Sequence, residues 1–203
     1  IVGGQAGCIS INNYKLIERA NCILDKGTNR KIFIKNYKKK IISSKNNKRF
    51  YSWVDFGSEY RAPELSCALL YSQLLKIKKI QSIRKKNWFT FKKVIQKLNT
   101  QKFYLIESSK KASSAYHILG FVFKTTQLAN QFKKLFQNER VAATFHYVPL
   151  HKSKMGKKYC KYKLPITENI YSRVVRLPLF SDMTRNEINK ISLLINKFFS
   201  LKY

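Results

Sequence analysis

Residues Tyr51 to Leu74 read YSWVDFGSEYRAPELSCALLYSQL. The aromatic-rich run Tyr51 to Phe56 fits an extended segment, and Gly57 marks the turn that ends it. Pro63 and Glu64 mark a helix start, because proline's fixed φ suits the first helical turn and a carboxylate there meets the positive end of the helix dipole. Leu65, Ala68, Leu69, Leu75, Ile80, Ile83 and Trp88 carry an apolar face on towards residue 98, which predicts one long helix or two stacked ones. Strand, glycine turn and proline-started helix read together as a packed strand-loop-helix, one piece of the α/β class that the C-terminal half's alternation predicts.

On the N-terminal side, Ile1 to Gly7 (IVGGQAG) is a glycine-rich turn feeding a predicted strand, Gly7 to Ile11. Asn12-Asn13 breaks that strand before a predicted helix, Tyr14 to Asp25, with Leu16, Ile17, Ala20 and Leu24 on one face and Lys26-Gly27 closing it. Lys31 to Arg49 is dense in lysine and reads as a solvated basic loop or as an anion-contacting arm.

On the C-terminal side the rhythm changes. Lys102–Ile106, His117–Phe123 and Val141–Tyr147 read as strands, and Thr126–Phe136 reads as a helix burying Phe132, Leu135 and Phe136 while Lys133 and Lys134 face water. Gly156 and Pro165 bracket a polar loop, and a short helix is predicted near Thr167–Arg173. Thr184, with Glu187 three residues on, forms a capping box for a final helix. Strands alternating with helices predict a small α/β sandwich from about residue 99 onward.

The 203 residues carry 41 Lys plus Arg against 10 Asp plus Glu, a formal charge of +31. Such an excess favours polyanions. Here the lysines recur on almost every polar face beside abundant Asn and Ile, the pattern of an A- and T-rich codon bias rather than of a dedicated footprint. The expectation is nonspecific, salt-sensitive contact with nucleic acid and no sequence-selective binding. The four cysteines, Cys8, Cys22, Cys67 and Cys160, form no CxxC or Cys/His cluster, so they read as reduced and mostly buried thiols of a cytoplasmic chain. No stretch approaches the ~20 apolar residues of a membrane span, and no charged head and apolar run of a signal peptide stands at the start.

The phrase FHYVPLH places His146 and His151 around Tyr147 and Pro149. Two histidines without a third ligand are a poor metal site, and they suit hydrogen bonding to a substrate or a phosphate better. His117 reads as a hydrogen-bonded core residue, and Trp53 and Trp88 read as packing residues.

Five phrases carry a resemblance: GGQAGCISINN (Gly3–Asn13), ERANCILDKGTNR (Glu18–Arg30), the Tyr51–Leu74 segment, ATFHYVPLH (Ala143–His151) and TENIYSRVVRLPLF (Thr167–Phe180). In this order and spacing the chain resembles the C-terminal half of the DegT/DnrJ/EryC1/StrS sugar aminotransferases. The resemblance implies the C-terminal part of a fold type I transferase that uses pyridoxal 5'-phosphate (PLP). Residues 1–62 would be the end of the PLP-binding large domain with its basic loop 31–49, residues 63–98 a connecting helix or helix pair, and residues 99–203 the small α/β domain. It further implies a homodimer that moves an amino group from L-glutamate to the C4 keto carbon of dTDP-4-keto-6-deoxyglucose.

The same resemblance assigns sites. The family's Schiff-base lysine lies a few residues before the glycine turn, so no lysine of these residues matches it, and the chain by itself is expected to be inactive. Ser58, Glu59 and Tyr60 match the turn that reaches the PLP phosphate of the neighbouring subunit, with Glu59 standing where many members have asparagine. A carboxylate there repels phosphate unless Arg61 or a lysine offsets it. Arg30 matches a loop at the nucleotide-sugar entrance, and His146, Tyr147 and His151 match a wall beside the sugar. Plainer readings stand beside these: Arg30 as the start of the basic loop, and Tyr60 as packing on the connecting helix. Two other functions remain open, a non-catalytic gene product that keeps a dimer surface and a basic module for nucleic acid or membrane.

Overall fold

A computed structural model describes residues 3–38, 51–98, 100–109 and 111–200. The chain divides into two compact units, Ile1–Ile77 and Lys78–Tyr203. Among the described residues no helix is long and apolar enough to cross a membrane.

The first unit is built around α1 (Ile17–Leu24), α2 (Arg30–Lys38) and α3 (Glu64–Leu74). Helix α1 follows a short 3-10 turn, Tyr14–Leu16, that Asn13 caps by accepting the Lys15 N–H. It stops where expected, with Lys26 and Gly27 both at positive φ (58° and 76°). In that conformation the Gly27 N–H reaches back to the Cys22 carbonyl at 2.8 Å, satisfying one of the carbonyls a helix end leaves open.

Three expectations for this unit change. Residues Gly7 to Ile11 form no strand, because a strand needs a neighbour's N–H and C=O groups and none among the described residues offers them. The predicted basic loop begins as a helix, since Arg30 to Lys38 is α2; Asn29 accepts the N–H groups of Ile32 and Phe33 and so starts it. The rest of the loop lies outside the described residues. Helix α3 has its predicted start, with Pro63 as the N-cap residue, yet buries no side chain, and Leu65 is 86% exposed. Its apolar residues surround the axis instead of forming a stripe, so no single face is hidden.

The second unit takes α4 (Ile77–Gln96) from Lys78 onward, then β1 (Phe103–Leu105), β2 (Leu119–Phe123), α5 (Thr126–Asn138), α6 (Gly156–Tyr159), α7 (Pro165–Tyr171), β3 (Val174–Leu177) and α8 (Arg185–Ser200). The sheet is antiparallel in the order β1-β2-β3. Phe103 faces Phe123, Phe121 faces Val175 and Leu119 faces Leu177. Period-two alternation sends these residues to one side, where they meet Trp88, Phe91 and Ile95 of α4, Phe132 and Phe136 of α5, and Ile195 and Phe198 of α8. The other side presents Tyr104, Gly120, Val122, Val174 and Arg176, and Tyr104 is exposed.

Strand Val141–Tyr147 is absent. One bridge joins Thr144 to Arg176, and the chain then bends at His146. The third strand is Val174–Leu177 instead. Part of the predicted 156–165 loop is the one-turn helix α6, and the short helix predicted at 167–173 runs Pro165–Tyr171. The capping box is as expected: the Thr184 N–H donates to Glu187 Oε2 at 2.7 Å and the Glu187 N–H to Thr184 Oγ1 at 3.2 Å.

Burial also departs from expectation. Trp88 is in the core, but Trp53 is 71% exposed, although its backbone bridges Thr28. Of the thiols, all free, Cys22 alone is buried; Cys8 lies in the unpaired N-terminal segment and Cys67 on exposed α3.

Phe132 is the hub of the second core, with ring centroids of Phe121, Phe123, Phe136 and Phe198 at 4.5 to 5.5 Å. Replacing it by alanine removes those contacts and leaves a cavity. Phe132→Ala is therefore expected to lower unfolding free energy by about 3–5 kcal/mol in urea titrations. The exposed neighbour change Lys134→Ala is expected to stay within about 0.5 kcal/mol of the parent.

Candidate functional site

In the first unit the extended segment 51–60 is fastened to the end of α1 by its backbone. The N–H groups of Val54 and Asp55 donate to the Gly27 carbonyl at 2.8 and 3.1 Å, Lys26 N–H to Ser58 O at 3.0 Å, Ser58 N–H to Ile23 O at 3.2 Å and Tyr60 N–H to Leu24 O at 3.1 Å. Two glycines make that approach possible. A Cβ on Gly27 would lie 1.8 Å from the Asp55 carbonyl oxygen, and one on Gly57 would lie 2.4 Å from the Gly27 nitrogen. No other residue fits either place.

This clasp presents Ser58, Glu59 and Tyr60 side by side, with the Glu59 and Tyr60 side chains at the surface. Arg61 grips Glu59 through two bonds, Nε to Oε1 at 2.7 Å and Nη2 to Oε2 at 3.0 Å, and Lys26 Nζ stands 3.1 Å from Oε2. Arg61 Nη2 also lies 3.1 Å from buried Asp25, and Arg19 holds Asp55 at 2.7 Å. The Arg61 hydrogen bonds, with Lys26 second, draw the Glu59 carboxyl down from its ordinary 4.5 to about 2. Glu59 is thus a charge already answered. Its two cations offset the repulsion that a bare carboxylate would exert on a phosphate, while the Ser58 and Tyr60 hydroxyls remain as donors. Arg30 stands at the start of α2 with its guanidinium 5.6 Å from the centre of the Tyr51 ring.

In the second unit His146 and Tyr147 meet and His151 goes elsewhere. The His146 ring stacks on Tyr147 with centroids 4.1 Å apart, and Arg176 lies 5.6 Å from the Tyr147 ring centre. His146 Nδ1 is buried without a hydrogen-bond partner among the described residues. Burial first, then the charges of Arg176 and His117, lower its pKa below the ordinary histidine value. His151 sits in a 3-10 turn, Leu150–Lys152, with Nε2 3.3 Å from Glu168 Oε1, and Lys152 reaches the other oxygen at 3.2 Å. These bonds, led by Lys152, lower the Glu168 pKa. His117 is exposed just before β2 and is not a core residue. Among the described residues no group of three or more His, Cys, Asp or Glu is arranged to hold a metal ion.

The sequence reading missed Arg176, and β3 explains why. Val175 and Leu177 point inward, so alternation turns Val174 and Arg176 to the open side of the sheet; the signal lies in RVVRLPLF but depends on assigning that strand. It also missed Glu168 as the partner that orients His151.

The profile of the DegT/DnrJ/EryC1/StrS aminotransferase family matches residues 1–195. The chain belongs to this family. Among curated relatives, dTDP-3-amino-3,6-dideoxy-alpha-D-galactopyranose transaminase of Aneurinibacillus thermoaerophilus is 22% identical over 193 residues, covering 95% of this chain and 46% of that protein. An uncharacterized protein of Methanocaldococcus jannaschii, MJ1066, is 21% identical and is covered to 51% of its length. The chain therefore spans about half the length of the curated relatives it matches. Among solved structures, Helicobacter pylori PseC, an aminotransferase involved in the biosynthesis of pseudoaminic acid, superposes with a TM-score of 0.73 at 16% identity over 94% of this chain and 47% of that one. A family aminotransferase from Brucella abortus gives 0.71 at 19% identity, covering 94% and 45%. The architecture is that of part of a fold type I PLP-dependent aminotransferase.

The state of Glu59 is directly measurable. With its folded pKa depressed, the pairing contributes stability fully above the unfolded value near 4.5 and loses it as pH falls through about 2. A carbon-13 titration of the Glu59 side chain is expected to show its midpoint near 2, and Arg61→Gln is expected to return the midpoint towards 4.5.

Proposed function

We propose that residues 1–203 act as the second half of a PLP-dependent nucleotide-sugar aminotransferase. The observation that carries this reading is the family match along residues 1–195, supported by the fold. As the reaction we propose transfer of the amino group of L-glutamate to C4 of dTDP-4-keto-6-deoxyglucose, giving dTDP-4-amino-4,6-dideoxygalactose. The dTDP-3-amino-3,6-dideoxy-sugar transaminase among the relatives supports a dTDP-linked deoxy sugar as the substrate class. The active form is a homodimer, in which the Ser58–Tyr60 turn of one subunit meets the cofactor of the other.

Bound PLP supplies the electron sink for the reaction. The part played by these residues is binding and orientation. The Ser58 hydroxyl and the Tyr60 phenol would donate hydrogen bonds to the cofactor phosphate, and Lys26 with Arg61 would keep Glu59 from repelling it. Arg30 meets the diphosphate of the nucleotide sugar. His146 and Tyr147 wall the sugar through their stacked rings, and His151, steadied by Glu168, donates or accepts at a sugar hydroxyl. Proton transfer at the reacting carbon falls to the family's Schiff-base lysine. None of the lysines here matches it, so these 203 residues alone do not turn over.

A complete enzyme containing these residues, incubated with PLP, L-glutamate and dTDP-4-keto-6-deoxyglucose, is expected to yield the 4-amino sugar nucleotide by mass analysis. Fully PLP-loaded enzyme that gives no amino-sugar product contradicts the substrate assignment. The 203 residues alone, treated with PLP and borohydride, are expected to give no stoichiometric adduct at one lysine. A site-specific adduct with turnover contradicts their proposed role.

A further inference from the structure

Residues 150–166 read LHKSKMGKKYCKYKLPI, with six lysines and no acid. The nearest carboxylate in sequence, Glu168, is already engaged by His151 and Lys152. Among the described residues no ion pair forms at Lys154, Lys157, Lys158, Lys161 or Lys163, and all five are exposed. Elsewhere in this unit lysines flank apolar residues that enter the core, as Lys133 and Lys134 stand between buried Phe132 and Phe136. Here the apolar residues stay outside. Tyr159 and Tyr162 are each 80% exposed, and Leu150, Met155 and Ile166 are exposed beside them.

Local structure gives this patch a fixed form. The Ser153 hydroxyl donates to the Leu150 carbonyl at 2.7 Å and accepts the Gly156 N–H at 2.9 Å, which joins the 3-10 turn to α6. Met155, in helical conformation just before α6, and Tyr159 are four residues apart and so share a face. On α7 Ile166 and Ile170 are likewise four apart and both exposed, while Glu168 between them turns the opposite way, towards His151 and Lys152. Each short helix therefore shows an apolar pair to solvent. Lys157 and Lys158 lie between the first pair in sequence, and Lys161 and Lys163 precede the second.

A second copy of the chain is a poor occupant, because its own lysines would face these. Single-stranded nucleic acid answers the charge and stacks on tyrosine, but bases stack on aromatic rings and gain little from Met155, Ile166 and Ile170. An anionic bilayer answers both features. Its headgroups meet the lysines, its interface accepts tyrosine rings, and the acyl boundary accepts exposed aliphatic side chains. Lysine also suits such a surface, since its stem lies along apolar groups while the ammonium stays among headgroups. We propose that residues 150–170 form a docking surface for anionic lipid, on which the second unit rests at the membrane interface without crossing it. The proposal is independent of the transaminase reading.

The test is co-sedimentation of the 203-residue chain with vesicles of phosphatidylcholine alone and with vesicles holding about one part in three of phosphatidylglycerol, at near-physiological salt. Binding is expected to the anionic vesicles and not to the neutral ones. Because so basic a chain is drawn to any polyanion, two sets of three lysines are compared. Lys157→Gln, Lys158→Gln and Lys161→Gln together are expected to weaken binding about a hundredfold. The exposed lysines of α4 and α5, changed together as Lys85→Gln, Lys93→Gln and Lys134→Gln, are expected to weaken it less than about threefold. Met155→Ser with Ile166→Ser keeps every charge, and is expected to weaken vesicle binding about tenfold while changing oligothymidine binding less than about twofold. The chain's two methionines give a direct view. In anionic bicelles carrying a nitroxide lipid, the methyl signal of Met155 is expected to broaden, and that of Met183, packed against the core, to stay sharp. Equal losses from the two lysine sets, or equally sharp methionine signals, overturn the docking surface. Full vesicle affinity in the Met155→Ser, Ile166→Ser variant also overturns it, and a fall in that variant's sedimenting mass would then assign the patch to a second copy. Tighter binding of oligothymidine than of anionic vesicles, lost with the 157, 158 and 161 set alone, overturns it in favour of nucleic acid.

Discussion

The first unit depends on one close approach of backbone to backbone. Gly27 and Gly57 bring the segment 51–60 against the end of α1 at a distance that excludes any side chain at either place. The hydrogen bonds that follow answer the open carbonyls of Ile23, Leu24 and Gly27 and leave Ser58, Glu59 and Tyr60 at the surface in a fixed order. Among the described residues of this unit few side chains are buried, and Phe56 is 95% exposed. Its order therefore comes from backbone pairing and from the ion pairs clustered around it, whereas the order of the second unit comes from a phenylalanine-rich core.

Charge explains how so basic a chain holds such a feature. Carboxylates are scarce, and Asp25, Asp55 and Glu59 are gathered at the clasp, where Arg19, Lys26 and Arg61 meet them. Each pair is partly exposed, so each by itself contributes little. Arg61 is the exception in kind, since one planar guanidinium joins Glu59 to buried Asp25 and so ties the two bridged backbones through their side chains as well. In the second unit Glu168 and Glu107 also hold cations in place. Among the described residues no carboxylate pairs with Arg176, whose guanidinium lies over the Tyr147 ring and donates to Thr144.

Local signals were legible in the sequence. Gly27 announced the end of α1, Thr184 and Glu187 announced the start of α8, and Phe132 and Phe136 marked the inner face of α5. Each rests on residues within a turn or two of one another. What depended on distant partners was misread. The run Val141–Tyr147 has a strand's composition but meets β3 at Thr144 alone, and the four residues of β3 were hidden between a short helix and a proline. Missing β3 meant missing the outward turn of Arg176. Trp53 has a core residue's composition, but its segment is held by main-chain bonds and by ion pairs at Asp55 and Glu59, none of which covers the indole. The family phrases located Glu59 and pointed to Arg61 or a lysine as its counter-charge, and Arg61 is there; which lysine joins it was not legible, because Lys26 reaches Glu59 across the clasp.

The account stands most directly on the clasp, and amide hydrogen exchange reads it residue by residue. If the backbone pairing orders the Ser58–Tyr60 turn, the amides of Lys26, Val54, Asp55, Ser58 and Tyr60 exchange slowly and as one cooperative group. Exchange of Val54, Ser58 and Tyr60 at the rate of an open loop, while the amides of α1 stay protected, would contradict it.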